Sequence, residues 1–280
     1  MRETPYFSIR SGRNPNAVIG LAMARKLFLA VFRDFWRRDY FQEAFGYECV
    51  DEGPVPGSLG WDIESHLLLR LRKSSLWPIE DSAESYTEDD LFDVIEFLYD
   101  CISLPLDGTY HSYNNCGYHY TKFDSAPARV EFRSGVNSFL RDFGSGYLLS
   151  DKGEILTMPE EGTQILLFEE LPDFDERNVN APVARAISKF LRHRSTIADR
   201  GDAVRDLADV LEFLRPRARS IIVAADESDL FNIANNFGIR HRNDRQRTGF
   251  DQEVWTEWVF YYYLATIRAC VRILNRTDSA

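Results

Sequence analysis

Residues 226–247 read DESDLFNIANNFGIRHRNDRQR, and this stretch sets the expected fold of the second half of the chain. The acidic residues at its start suit the positive end of a helix dipole. Apolar residues then recur at helical spacing, at Leu230, Ile233, Ala234 and Phe237. Gly238 is placed to end the helix. The stretch therefore predicts one helix of a packed helical domain.

A cationic cluster follows Gly238 directly. Residues 240–247 hold four arginines, one histidine and one acid, whereas the whole chain carries a formal net charge of -11. Arginine makes bidentate contacts with phosphate and carboxylate groups. The cluster therefore predicts an anionic partner that is contacted locally, because the acidic net charge argues against wholesale coating by nucleic acid.

The composition is that of a folded protein of one or two domains. The chain has 280 residues, 44% hydrophobic and 14% aromatic, which is enough to bury a substantial core. No apolar run approaches the ~18 residues of a membrane span, and no signal-peptide pattern is present. The four cysteines are widely spaced without a CxxC pair. We expect a cytoplasmic protein without membrane association.

The first part of the chain, residues 1–175, is predicted to be a helical domain. Apolar residues recur every three or four positions over residues 16–45, 62–71, 91–102 and 128–143. Two short apolar runs around a Gly-containing turn predict a small β-hairpin near residues 147–158. Residues 105–127 are rich in Tyr, Gly, Asn, Pro and Ser, and they predict a long loop.

Three side chains of this predicted loop are metal ligands by type: His111, Cys116 and His119. Their spacing matches no closed four-ligand zinc pattern, and no fourth thiol or imidazole lies nearby in sequence. We therefore interpret them as ordinary polar loop residues. No metal and no cofactor are predicted.

The second domain is predicted at residues 176–280, after the acidic segment 172–180. Its helical segments are 182–191, 199–214, the helix of the opening stretch, and 251–275. Four helices with short links predict a bundle. Aromatic residues nearly surround the last helix, which predicts burial on several sides or a partner interface. The expected fold class is thus mainly α with a small β-hairpin.

Charge is distributed unevenly between the two halves. Residues 181–280 hold 16 Lys and Arg, of which fifteen are arginine, against 13 Asp and Glu, a balance of +3. Residues 1–180 must therefore carry a balance of -14. The first half is accordingly suited to a basic partner protein, and the second half is suited to local contact with RNA.

Two segments carry a resemblance to known families. Residues 235–241, Asn-Asn-Phe-Gly-Ile-Arg-His before a long aromatic helix, resemble the HEPN superfamily. Residues 136–158, a helix followed by Gly-Ser-Gly-Tyr and a hairpin containing Asp-Lys-Gly-Glu-Ile, are similar to the N-terminal region of AbiJ-type abortive infection proteins. The resemblance implies a HEPN-like four-helix bundle, commonly a homodimer, that acts on RNA in phage defence, with tRNA as one candidate.

The same resemblance implies a metal-independent endoribonuclease site. The family motif is an arginine, a polar residue, a few variable positions and a histidine, and Arg240 with His241 matches its opening. Arg245 stands where the motif histidine is expected, and no histidine follows downstream. Histidine transfers protons near neutral pH, and arginine stabilises charge at phosphorus. Arg240 and His241 are therefore the predicted catalytic residues.

The predicted RNA- and phosphate-binding residues surround His241 and a second Arg-His-Arg triplet: Arg242, Asn243, Arg245, Asn236, Arg192, His193 and Arg194. Arginines at a helix C-terminus also interact favourably with the helix dipole, which by itself explains both triplets. The alternative function is a non-catalytic HEPN-like interaction or regulatory protein. It would dimerise through the last helix or bind a partner protein through the acidic first half.

Overall fold

The computed structural model describes residues 7–11, 13–14, 19–158, 163, 166–167, 171–218 and 251–278. Within these residues the chain is mainly helical and has three two-stranded antiparallel sheets, which confirms the predicted helical class and adds strands to it. The chain divides into two compact units, Met1–Met158 and Pro159–Ala280. The boundary predicted from the sequence lies later, after residue 175. None of the described helices is long and apolar enough to cross a membrane.

Helices and small hairpins alternate in the first unit. Its helices are α1 (Phe7–Arg10), α2 (Leu21–Arg37), α3 (Gln42–Phe45), α4 (Ile63–Leu71), α5 (Ile79–Ser82), α6 (Glu88–Cys101) and α7 (Ser125–Leu140). Its strands are β1 (Tyr47–Cys49), β2 (Gly53–Val55), β3 (Leu104–His111), β4 (Gly117–Asp124), β5 (Tyr147–Leu149) and β6 (Ile155–Thr157). Each strand pairs with its sequence neighbour as β1–β2, β3–β4 or β5–β6.

Aromatic and aliphatic side chains of the helices make the core of the first unit. Phe132 of α7 meets Phe35 of α2 edge-on at 5.4 Å between ring centroids, and Phe41 at 6.4 Å. Leu91 and Ile95 of α6 are fully buried in the same cluster. Each such side chain contributes about 1.5–3 kcal/mol on burial. The helices therefore carry most of the stabilisation of this unit.

The hairpin predicted near residues 147–158 is confirmed. β5 pairs with β6 through the register Leu148↔Leu156, and both strands turn buried side chains toward the helices. Asn137 of α7 fixes β5, because its amide donates to the carbonyl of Leu149 at 3.0 Å and accepts from the Leu149 N–H at 2.6 Å. Helix packing thus holds a hairpin that would be marginal alone.

The loop predicted over residues 105–127 is wrong, because these residues form the longest hairpin, β3–β4. Its register runs from Leu104↔Asp124 to His111↔Gly117, with an irregularity around Asp107. Neither strand contains a buried side chain. A strand without a buried face lacks the apolar–polar alternation by which strands are recognised in sequence, so composition indicated a loop.

The second unit contains α8 (Ala181–Leu191), α9 (Ile197–Ala218) and α10 (Gln252–Asp278), preceded by a π-helical turn at Glu176–Asn180. The Phe190 ring of α8 stacks on Phe260 of α10 at 3.8 Å between centroids. Lys189 of α8 pairs with Asp206 of α9 at 2.6 Å. The helix predicted within residues 226–247 lies outside the described residues, so the HEPN-like bundle stays a prediction.

We predict that Glu96 makes the stability of the first unit fall as the pH rises. Its Oε1 accepts the Ile155 N–H at 2.6 Å, and burial is the main cause that raises the pKa of this carboxyl above its usual value. A carboxyl with a raised folded-state pKa gives its full stability below the unfolded pKa and loses it as the pH rises through the folded pKa.

Glu96→Gln keeps an acceptor for Ile155 and removes the charge. Its free energy of unfolding in urea, relative to wild type, should therefore increase between about pH 4 and pH 7. The exposed Glu84→Gln change is the control. A difference between Glu96→Gln and wild type that stays constant with pH would contradict the prediction.

Candidate metal centre

Two thiols and two imidazoles of the first unit come together at the turn end of the β3–β4 hairpin. The ligand atoms of Cys49, His111, Cys116 and His119 all lie within 4.8 Å of one another. Cys49 is buried, and the other three side chains are half-buried. Among the residues that the structure describes, these four side chains form the one cluster of three or more potential metal ligands.

The pairing of the strands explains why the two histidines meet. Thr109 lies opposite His119, and His111 is two residues further along β3 on the same face. The imidazoles are therefore diagonal neighbours across the ladder, and their ring centroids are 5.4 Å apart. Asn114 and Asn115 adopt left-handed backbone conformations, which asparagine tolerates, and this tight loop brings Cys116 back toward His119.

Cys49 comes from a different hairpin. It ends β1, where it pairs with Gly53 of β2, and its Sγ lies 3.8 Å from His111 Nδ1. On the other side of the group, Cys116 Sγ lies 3.2 Å from His119 Nε2. Four ligands from β1 and the β3–β4 hairpin thus converge on one point.

These distances suit a tetrahedral zinc ion. Zn–S bonds are about 2.3 Å and Zn–N bonds roughly 2.0–2.1 Å, so neighbouring ligand atoms around zinc are about 3.3–3.8 Å apart. Of the two sulfur–nitrogen distances, 3.8 Å lies at the upper end of this range and 3.2 Å lies just below it. Two cysteines and two histidines also form a closed set of the type that structural zinc sites use.

Neighbouring groups orient both imidazoles. Asp51 Oδ2 lies 3.1 Å from His111 Nε2, a contact that would orient the ring with Nδ1 toward the cluster. The Tyr47 ring stacks on His119 with centroids 4.3 Å apart. A carboxylate that holds a ligating histidine is the usual support of a metal site.

The remaining cysteines lie outside the cluster and are buried. Burial raises the pKa of Cys101 to about 12, and it also raises the pKa of Cys270. A thiol in such surroundings stays protonated and neither binds metal nor reacts readily. The four cysteines therefore divide into two that share the cluster and two that are core residues.

The edge of the hairpin has one further link to the helices. The buried Gln42 of α3 donates to the carbonyl of Tyr118 at 3.0 Å and accepts from the Tyr120 N–H at 2.7 Å. The Gln42 amide thus makes two hydrogen bonds to the backbone of β4, in the same way as the Asn137 amide does with β5. Since β3 and β4 have no fully buried side chain and Leu104 packs against the core with only part of its surface, the Gln42 contacts and the cluster are important attachments of the hairpin.

The structure places His111, Cys116 and His119 in the β3–β4 hairpin and its turn, and it adds Cys49 to them as a fourth potential ligand. The missing fourth ligand is Cys49, 62 positions before His111 in the chain. Spacing within one segment carries no information about such a partner. Asp51 follows Cys49 by two positions, and both residues contact His111. This pair can be recognised as part of the site only once the fold places β1 beside the hairpin.

The predicted RNA site lies mostly outside the described residues. Arg240, His241, Arg242, Asn243, Arg245 and Asn236 all belong to residues that the structure does not describe. The triplet Arg192, His193 and Arg194 is described and forms the turn between α8 and α9.

Both arginines of that turn are exposed, and His193 is half-buried. Arg192 is the C-cap of α8, where a cation is favourable to the helix dipole. Arg194 has a left-handed backbone, and the next helix begins with a reciprocal cap between Thr196 and Asp199. The turn thus has a structural explanation in addition to the predicted phosphate contact.

No protein-family model, curated protein or solved structure matches this chain.

Proposed function

We propose that the first unit is a zinc-binding interaction module. In this proposal Zn²⁺ is held by Cys49, His111, Cys116 and His119 and fixes the β3–β4 hairpin to the rest of the unit. The observation that supports it is the convergence of the four ligand atoms within 4.8 Å, with Asp51 on His111. Four protein ligands leave no position for water, so the role of the ion is structural.

The donor set favours zinc over other biological cations. Thiolate and imidazole are ligands for Zn²⁺, whereas Mg²⁺ and Ca²⁺ take oxygen ligands. Two thiolates and two neutral imidazoles also balance the charge of the ion, which suits a partly buried site. The carboxylate of Asp51 then acts through His111, where it keeps the proton on Nε2.

The surface of the hairpin supports an interaction role. The aromatic side chains of Tyr110, Tyr113 and Tyr118 are about half exposed or more. Tyrosine is enriched at protein interfaces, where it provides apolar area with a polar end. Residues 1–180 carry a balance of -14, so a partner of this face is expected to be basic.

We predict that the protein binds one zinc ion per chain and loses it when a ligand is removed. Cys49→Ser and Cys116→Ser should weaken zinc binding by more than about 100-fold, because they remove bonds to the ion. Asp51→Asn should weaken it by about 10- to 100-fold, as expected for a supporting contact. Metal content is measured by elemental analysis, and affinity is measured by competition with a chromogenic chelator.

Cys270→Ser is the matched control, because that thiol belongs to the second unit and is not one of the four clustered side chains. It should keep wild-type zinc content. Wild-type protein that takes up no zinc after refolding with the ion, or equal loss in all three cysteine variants, would refute the proposal.

We also propose that the second unit acts on RNA through a HEPN-like domain, as the resemblance implies, in defence against phage. The arginine-rich residues 240–247 support this proposal, and so do the exposed Arg192 and Arg194. A homodimer through α10 is part of it, since Trp255 and Trp258 are about two-fifths exposed. The alternative for this unit is binding without cleavage.

Incubation with total RNA and with a tRNA pool tests the second proposal. In the presence of EDTA, wild-type protein should cleave RNA, and Arg240→Ala and His241→Ala should abolish cleavage while circular dichroism stays unchanged. The Cys116→Ser variant should cleave RNA as wild type does, because EDTA also removes zinc from the wild-type protein. RNA binding without cleavage, lost in both variants, would favour the binding alternative. Absence of both would refute the RNA role.

A further inference from the structure

A pocket of about 400 Å³ lies beside the candidate metal centre. Its wall combines α2 and α3 with β1 and the start of β4, and its lining residues are Trp36, Asp39, Phe41, Gln42, Gly46, Tyr47, Glu48, Cys116, Gly117 and Tyr118. This volume is within the usual range of ligand pockets, about 300–1,000 Å³. The pocket is large enough for an extended side chain.

The charged side chains in this wall are all acidic. Asp39 and Glu48 line the pocket, and no lysine or arginine is among the lining residues. Within the described residues, no hydrogen bond or ion pair is made by the Asp39 carboxylate. Burial raises the pKa of Asp39. A bound cation would therefore compensate a carboxylate that the fold leaves partly desolvated.

Aromatic rings make up much of the rest of the wall. Trp36 and Tyr118 are 43% and 48% exposed, so their rings are accessible to a ligand. The buried Phe41 closes the pocket from below, with its ring 6.4 Å from that of Trp36. Aromatic faces attract cations through the ring quadrupole, most strongly for tryptophan. Carboxylates and aromatic rings in one pocket are complementary to an organic cation.

We infer that this pocket binds the ammonium or guanidinium end of a lysine or arginine side chain from a basic partner polypeptide. A phosphate group is disfavoured, because the wall has two carboxylates and no cationic side chain. A purely apolar ligand is disfavoured as well, because it would bury Asp39 without a partner. The inference extends the proposed interaction role of the first unit and rests on it for the nature of the partner.

A polypeptide fits better than a free small amine. Tyr113 and Tyr110 continue the exposed aromatic surface of the hairpin beyond the pocket. Additional acids nearby, Glu43 and Glu52, are also exposed. An extended basic segment can contact this surface and place one side chain in the pocket, whereas a small amine would use the pocket alone.

The metal centre and the pocket share part of their walls. Cys116 belongs to both, Gly117 and Tyr118 follow it directly, and Tyr47 stacks on the ligand His119. Zinc would hold the β4 side of the pocket in place. Binding is therefore tested on zinc-loaded protein, with its zinc content measured first.

Fluorescein-labelled hexalysine and hexaarginine peptides are the probes, and binding is followed by fluorescence anisotropy. Asp39→Asn should weaken binding about tenfold, because it removes the charge at the cation site. Asparagine accepts the left-handed backbone that Asp39 adopts, so the turn is kept. Tyr118→Ala should also weaken binding by about tenfold. Hexaglutamate should not bind.

Each variant has a control of the same chemistry. Asp107→Asn removes an exposed acid of the same hairpin outside the pocket, and Trp61→Ala removes an exposed ring outside both the pocket and the hairpin. Both should stay within about twofold of wild-type affinity, which is little more than the effect of a screened surface charge.

Equal loss in Asp39→Asn and Asp107→Asn would mean general attraction to an acidic protein and would overturn the inference. So would an absence of binding by zinc-loaded wild type. Ethylammonium or ethylguanidinium that binds more tightly than the peptides would overturn the assignment to a polypeptide. Protein that fails to load zinc refutes the proposed module itself, so the two failures are distinguishable.

Discussion

The β3–β4 hairpin is long, and neither of its strands buries a side chain. A two-stranded hairpin is marginal in water unless it packs on something. Leu104 of β3 packs against the core with part of its surface, and polar groups make further attachments: the Gln42 amide on the edge of β4, and the four potential metal ligands at the turn end. The contact between Cys49 Sγ and His111 joins segments far apart in sequence, and the proposed zinc ion would make it the constraint on which the exposed surface of this unit depends.

The same constraint links the ion to the pocket. A closed set of two thiolates and two imidazoles has no catalytic position, so its contribution is to hold backbone and rings in place. The ion would hold Tyr47 and Tyr118 at the pocket, because each lies two positions from a cysteine of the cluster and Tyr47 also stacks on His119. An acidic, aromatic pocket with a metal-supported wall is suited to a basic partner.

Sequence alone predicted the parts of the fold that have apolar periodicity. α6 was predictable because its buried residues recur at helical spacing, and the β5–β6 hairpin was predictable because two short apolar runs flank a Gly-containing turn. β3–β4 was not, because neither strand has a buried face that would give a regular apolar–polar alternation. For the candidate metal centre, the sequence identified three of the four potential ligands by residue type. The fourth, Cys49, is brought to them only by the tertiary fold. The predicted RNA site at residues 240–247 stays a prediction.

Hydrogen–deuterium exchange of zinc-loaded and chelator-treated protein tests the central claim directly, because it reports local opening segment by segment. If zinc holds the hairpin, removal of the ion should accelerate exchange in β3, β4 and β1. The amides of α2, α6 and α7, whose stability comes from the helical core, should keep their protection. Unchanged protection of β3 and β4 after complete loss of zinc would contradict the account.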